Sequence, residues 1–175
     1  VKYNSTMKDF FELIRWNHWA KNVFVLAPLF FSGDYYDISN VAQVLKAFFI
    51  FCLVSSCVYI FNDLLDYEAD SAHNKKRLRP LPSGRISKPM AMLILSIMFI
   101  SACLLLYTLR MPINFIYVVL FYALINLIYS MGLKHIPVLE LILVSSGFVL
   151  RLVGGGEALS IDLSPWIIVA TASLS

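Results

Sequence analysis

The apolar run at residues 41–61 constrains this chain more than any other feature. It is interrupted only by Gln43 and Lys46 near its start. Crossing the hydrocarbon core of a bilayer takes about 20 mostly apolar residues, and this run is long enough. A backbone in lipid has no water to satisfy its N–H and C=O groups, so the run must be a helix. Comparable runs follow at residues 90–109, 113–129 and 138–153, and another begins at Trp166 and stops at Ser175. Ahead of them, residues 22–31 reach across only by borrowing Trp16, Trp19 and Ala20, and Pro28 predicts a kink there. The expected fold is all-α: a polytopic transmembrane bundle of about five complete helices and the start of a sixth. It forms a single membrane domain over residues 1–175. Because the last run stops inside a helix, the chain is expected to be the N-terminal part of a larger, here C-terminally truncated, protein.

Composition agrees with that reading. The chain is 59% hydrophobic with a mean hydropathy of +0.76, against about 45–50% apolar residues in soluble domains. The net charge of +3 is small and unevenly spread. In a membrane protein a basic cluster reports orientation or anionic headgroups before nucleic acid, so no nucleic-acid partner is expected. Lys and Arg gather before the first run, between the second and third, and between the fourth and fifth, where Lys134 and His135 lie. The alternate loops are poor in them, which puts the N-terminus and the second loop on the cytoplasmic side. Cys52, Cys57 and Cys103 sit in apolar runs and suggest neither a disulfide framework nor a zinc site. Most of the Trp and Tyr residues near run ends fit an interfacial belt. Tyr59, Tyr67 and Tyr129 lie near polar motifs and are candidates to line a site.

Chemistry concentrates where the second run ends. Asn62, Asp63, Asp66, Glu68 and Asp70 follow directly on Phe61. At about 100° per residue, Asp63, Asp66 and Asp70 fall within roughly 60° of one another on a helix. Three carboxylates on one face suit a hard divalent cation, with Mg2+ carrying a phosphate-rich substrate as the expected occupant. Asn62 adds a neutral contact. Lys75, Lys76, Arg77, Arg79, Arg85 and Lys88 come next in sequence, and Lys76, Arg77 and Arg79 are the natural clamp on phosphate oxygens. His73 is a candidate for a phosphate or ribose hydroxyl, or else a solvated loop residue. The combination reads as diphosphate chemistry at a membrane surface. The competing reading is a solvated turn with surface ion pairs.

Later in the chain, Lys134, Glu140 and Arg151 are the other charges of interest. Glu140 and Arg151 share a helical face with Gly147. Either they form a second polar wall of the same cavity, or they are an intramembrane pair that holds the bundle together.

The stretch Asn62-Asp63-x-x-Asp66-x-x-x-Asp70, with Lys76-Arg77-x-Arg79-Pro80-Leu81-x-Ser83-Gly84, resembles the first signature of the UbiA superfamily of intramembrane prenyltransferases. Three further stretches resemble its decaprenyl-phosphate phosphoribosyltransferase branch. They are Trp19-Ala20-Lys21-Asn22 leading to Leu26-Ala27-Pro28-Leu29, His73-x-x-Lys76-Arg77, and Gly147-Phe148-Val149-Leu150-Arg151 with its following glycines. The resemblance implies transfer of 5-phosphoribosyl from phosphoribosyl diphosphate to a polyprenyl (decaprenyl) phosphate for cell-envelope polysaccharide synthesis. It implies a bacterial inner membrane, Mg2+ held by Asp63, Asp66 and Asp70 as the catalytic group, and substrate contacts from Lys21 and Asn22 as well as the residues above. The chain departs from the family at Glu140, where Asp is expected, and the family's second polar signature would lie beyond Ser175. Two rivals remain: a UbiA-type enzyme moving a polyprenyl group from its diphosphate to an aromatic or other acceptor, and a membrane scaffold or transport subunit.

Overall fold

The computed structural model describes the backbone of residues 2–132 and 137–174 and the side chains of residues 6–132 and 141–174. Among the described residues all regular structure is helical. Helix α1 is Lys2–Leu13. A 3-10 segment, Trp16–Leu26, leads into α2, Ala27–Ser32. Then come α3 (Ile38–Leu65), α4 (Tyr67–Ala72), α5 (Lys88–Thr108), α6 (Ile113–Met131), α7 (Pro137–Leu159) and α8 (Pro165–Leu174). Helices α3, α5, α6 and α7 contain stretches long and apolar enough to cross a membrane. They correspond to the second to fifth predicted runs.

The first predicted span is built differently. It is a 3-10 segment joined to a short α-helix, with Pro28 in the first turn of α2. Proline is tolerated there because its missing N–H has no intrahelical partner to lose. A 3-10 helix rises about 2.0 Å per residue against 1.5 Å for an α-helix, so residues 16–32 extend roughly 30 Å. Trp19 ties the segment to α3: its Nε1 donates to Ser56 Oγ at 3.0 Å, and Ser56 Oγ donates to Ile14 O at 2.8 Å.

Helix α3 is the axis of the bundle, packing against α5, α6, α7 and the 3-10 segment. Asp37 caps its start, accepting from the Ser39 N–H and hydroxyl, both at 2.8 Å. Those bonds hold the Asp37 carboxyl below its ordinary range, the hydroxyl contributing most. One core cluster joins Ile50 and Phe51 of α3 to Phe115, Val119 and Tyr122 of α6. A second joins Leu13, Ile14, Ile60, Leu81, Ile86 and Ala91, and forms the floor beneath the acidic motif. On α5 and α6, Leu93, Ile97, Ile100, Leu104, Leu120 and Leu124 are exposed. A ring of exposed aliphatics on membrane-length helices is a lipid-facing surface. The three cysteines are free thiols, as the sequence predicts.

Helix α7 approaches the 3-10 segment through Gly155. A Cβ there would collide with the Val25 carbonyl oxygen, a backbone atom that cannot swing aside. Gly155→Ala should therefore destabilise the bundle by about 1–3 kcal/mol, the usual range for overpacking. A thermal melt of the protein in detergent reads this directly, and an unchanged midpoint would show that the helices can part at no cost.

Candidate active site

The acidic motif does not continue α3 as a single helix. Helix α3 ends at Leu65, and Asp66 (φ −88°, ψ 7°) separates it from α4. Helical hydrogen bonds still bracket the break, Asp66 N to Asn62 O at 2.9 Å and Asp70 N to Asp66 O at 2.8 Å. Asp63 and Asp70 therefore turn inward together, each only 2% exposed, while Asp66 is half-buried. Arg79 joins the two buried carboxylates, its Nη1 lying 2.6 Å from Asp70 Oδ2 and 3.3 Å from Asp63 Oδ1. Arg15 Nη2 meets Asp63 Oδ1 at 2.5 Å, and Lys76 Nζ lies 3.4 Å from Asp70 Oδ1. Among the described residues no three His, Cys, Asp or Glu groups gather closely enough to hold a metal ion. Basic side chains occupy the two buried carboxylates instead.

The six basic residues of the loop thus have different tasks. Lys76 and Arg79 face the carboxylates. Arg85 pairs with Asp9 and Glu12 of α1 and donates to Leu78 O at 2.6 Å, which ties α1 to the loop. The Glu12 hydrogen bond raises the pKa of Arg85 further. Lys88 Nζ lies 3.7 Å from the centre of the Tyr67 ring. Lys75 and Arg77 are exposed. His73 Nδ1 accepts from the N–H groups of Lys75 at 3.2 Å and Lys76 at 3.4 Å, so it shapes the loop. Asn62 is half-buried beside Asp63.

Two site residues escaped the sequence reading. Arg15 registers there only as a loop charge that sets orientation. It adopts a left-handed conformation (φ 52°) between α1 and the 3-10 segment, a backbone state costly for a residue with a Cβ. Its guanidinium packs 4.8 Å from the Tyr59 ring centre. His18 lies edge-on to the same ring at 5.1 Å, and its Nδ1 is buried without a hydrogen-bond partner among the described residues. Arg15, His18, Asp63 and Arg79 border one cavity of about 280 Å³. No periodicity or spacing would bring residues 15 and 18 to residue 63. Only the packing of the 3-10 segment on α3 does.

A second polar cavity, about 170 Å³, is bordered by Lys21, Tyr59, Tyr122, Asn126, Gly147 and Arg151. Arg151 is 5% exposed. Its Nε donates to Asn22 Oδ1 at 2.6 Å, its Nη1 to Gly147 O at 2.7 Å and its Nη2 to Tyr122 Oη at 2.8 Å. Asn22 is fully buried below the cavity and donates to Cys52 Sγ and Ser55 Oγ, both at 3.2 Å. It holds Arg151 in position. Tyr129 borders this cavity as well, whereas Tyr67 is taken by Lys88. Lys134, and the side chain of Glu140, lie outside the described residues, so the predicted link between Glu140 and Arg151 does too.

Fold and site together describe a polytopic α-helical membrane protein whose central helix ends in buried carboxylates faced by arginines. The chain belongs to the UbiA prenyltransferase family, whose model matches residues 23–175, and it is an integral membrane protein. It is 39% identical over 165 residues to the decaprenyl-phosphate phosphoribosyltransferase of Mycolicibacterium smegmatis, covering 92% of this chain and 51% of that protein. The chain spans about half the length of the curated relatives it matches. Its fold is similar to a solved structure of digeranylgeranylglyceryl phosphate synthase, with a TM-score of 0.77, 22% identity and coverage of 95% of this chain and 57% of that one. A UbiA homologue from Archaeoglobus fulgidus bound to DMAPP and Mg2+ gives a TM-score of 0.69 at 18% identity, over 95% of this chain and 59% of that one.

Proposed function

We propose that the protein is a Mg2+-dependent intramembrane transferase that moves 5-phosphoribosyl from phosphoribosyl diphosphate to a polyprenyl phosphate. The observation that carries the chemistry is the pair of buried carboxylates, Asp63 and Asp70, held by Arg15, Arg79 and Lys76 at the end of α3. The choice of donor rests on the similarity to decaprenyl-phosphate phosphoribosyltransferases. In the reaction an oxygen of the lipid phosphate bonds to the ribose C1, and the bond from C1 to diphosphate breaks. Diphosphate leaves with the electron pair.

The donor set fits Mg2+. This ion takes hard oxygen ligands and needs only one or two carboxylates when phosphates and water complete its octahedron. Asp63 and Asp70 would hold it, with Asp66 beside them. When bound, it neutralises the charge that develops on the departing diphosphate. Arg79, Arg15 and Lys76 would exchange their carboxylate partners for phosphate oxygens, and Arg79 offers bidentate geometry. Arg77, His73 and Asn62 complete the rim of the site. The donor would enter from the cytoplasm, where the N-terminus and acidic motif are assigned by loop charge, and the lipid acceptor sideways from a bacterial inner membrane.

The exchange has a direct consequence. In protein without donor, Arg79→Gln should bind Mn2+ about tenfold more tightly, the scale on which a neighbouring cation weakens a carboxylate's hold on a proton. Its KM for the donor should rise. Electron paramagnetic resonance counts free Mn2+ without any turnover, and weaker Mn2+ binding by the variant would refute the exchange.

The test of the function is transfer of label from phosphoribosyl diphosphate to polyprenyl phosphate by membranes containing the protein, with and without EDTA. Lipid-linked label that needs Mg2+ supports the proposal. Consumption of a polyprenyl diphosphate instead assigns the protein to prenyl transfer. Turnover of neither by folded protein points to a scaffold or transport role.

A further inference from the structure

We infer that Arg85 is a positioning residue, a strut that sets the spacing of Arg15 and Arg79 and thereby the fit of a diphosphate between them. The identity of that anion rests on the proposed function.

A guanidinium carries five N–H donors, and those of Arg85 are all committed. Its Nη1 donates to the Asp9 carboxylate and to Glu12 Oε2 at 3.0 Å. Its Nη2 donates to Glu12 Oε1 at 3.2 Å and to Leu78 O at 2.6 Å, and its Nε to Ser83 Oγ at 3.1 Å. None is left for a phosphate. Arg85 therefore stands apart from Lys76 and Arg79, although it belongs to the same basic run. Glu12 and Arg85 are both exposed, and exposed ion pairs add little to stability. Helix α1 is held besides by Leu13, in the core beneath the acidic motif. What the five bonds supply is geometry, because a two-pronged contact between guanidinium and carboxylate fixes their relative orientation.

The elements that Arg85 joins are those that deliver the two site arginines. On one side, Glu12 grips Arg85 with its carboxylate while its carbonyl accepts from the Arg15 N–H at 3.2 Å. Arg15 then turns through its left-handed conformation, which a residue with a Cβ keeps only when its surroundings impose it. On the other side, Leu78 directly precedes Arg79, and the Ser83 N–H donates to Arg79 O at 3.0 Å. Arg85 thus holds the chain before and after Arg79. The two guanidinium groups converge on one oxygen, Asp63 Oδ1, at 2.5 Å from Arg15 and 3.3 Å from Arg79. Two cations so close repel each other, and Arg85 opposes their separation. A diphosphate then meets guanidinium groups already in place, and less of its binding energy is lost in ordering them.

The experiment is equilibrium binding of labelled inorganic diphosphate, with Mg2+, to the protein purified in detergent, beside initial rates in membranes. Arg85→Gln should weaken diphosphate binding and raise the KM for phosphoribosyl diphosphate, each by about tenfold, the lower end of what partners behind a site's ligands supply. The change in kcat should be smaller than the change in KM. Arg85→Lys should recover part of the loss, and Glu12→Gln should show a smaller loss in the same direction. In an Arg15→Gln background, Arg85→Gln should cost less than it does alone, because one of the groups it positions is gone. Unchanged diphosphate binding in Arg85→Gln, or losses that simply multiply in the double variant, overturn the inference. Glu12→Gln leaves Asp9 its Arg85 partner, so unchanged binding there overturns it even if Arg85→Gln does not fold. A lack of diphosphate binding by the unaltered protein overturns it too. Diphosphate binding that needs Arg85, without turnover of phosphoribosyl diphosphate, keeps the strut and rejects the donor. Turnover with an unchanged KM in Arg85→Gln does the reverse.

Discussion

Asp63→Asn should lower transfer by about 10²-fold or more while the helices stay folded. Asparagine keeps the volume of aspartate and an oxygen for Arg15 and Arg79, so the packing at the end of α3 survives. What it loses is the charge that would hold a cation beside the diphosphate. Even outer-shell partners of metal ligands typically cost 10–100-fold when removed, and a direct ligand costs at least as much. Asp70→Asn should behave alike, because Arg79 joins the two carboxylates and both are buried. Initial rates in membranes, normalised to folded protein, test this. A variant with near-normal kcat and unchanged Mg2+ dependence would remove Asp63 from the catalytic centre.

Asn22→Leu is expected to destabilise the protein by about 3 kcal/mol, the upper end of the cost of leaving a buried donor unsatisfied, because the donor here belongs to a charged group. The side chain accepts from Arg151 and donates to Cys52 and Ser55, so it joins α7 to α3 through the 3-10 segment. The change strands the guanidinium Nε in a buried site. Adding Arg151→Met removes the stranded charge and should restore part of the loss. A double-mutant cycle on thermal stability in detergent measures that coupling. Additive losses, with no rescue, would mean that Asn22 and Arg151 act independently.

Much of this protein is legible without coordinates. A run of apolar residues near 20 in length has one solution in lipid, so the cores of α3, α5, α6 and α7 follow from hydropathy alone. Residues 16–32 are harder to read, because a 3-10 helix does not follow the 3.6-residue repeat of an α-helix. In the site, spacing puts Asp63, Asp66 and Asp70 on one helical face; that Asp63 and Asp70 turn inward while Asp66 stays half-buried depends on the break at Asp66. Lys76 and Arg79 were readable because they lie in the same loop. The division of labour within the clamp is not: Arg77 groups with Lys76 and Arg79 in sequence, yet it is exposed while those two face the carboxylates.

What the sequence by itself determined is the membrane-spanning architecture and the local acidic and basic motif, since both depend on residues near one another along the chain. Tertiary structure alone decided which cations reach the carboxylates, and that Arg151 is held by Asn22 and Tyr122. Those contacts join residues 15 to 63, 22 to 151 and 122 to 151. Local propensity carries no record of such pairings; they arise only when the 3-10 segment, α6 and α7 close around α3.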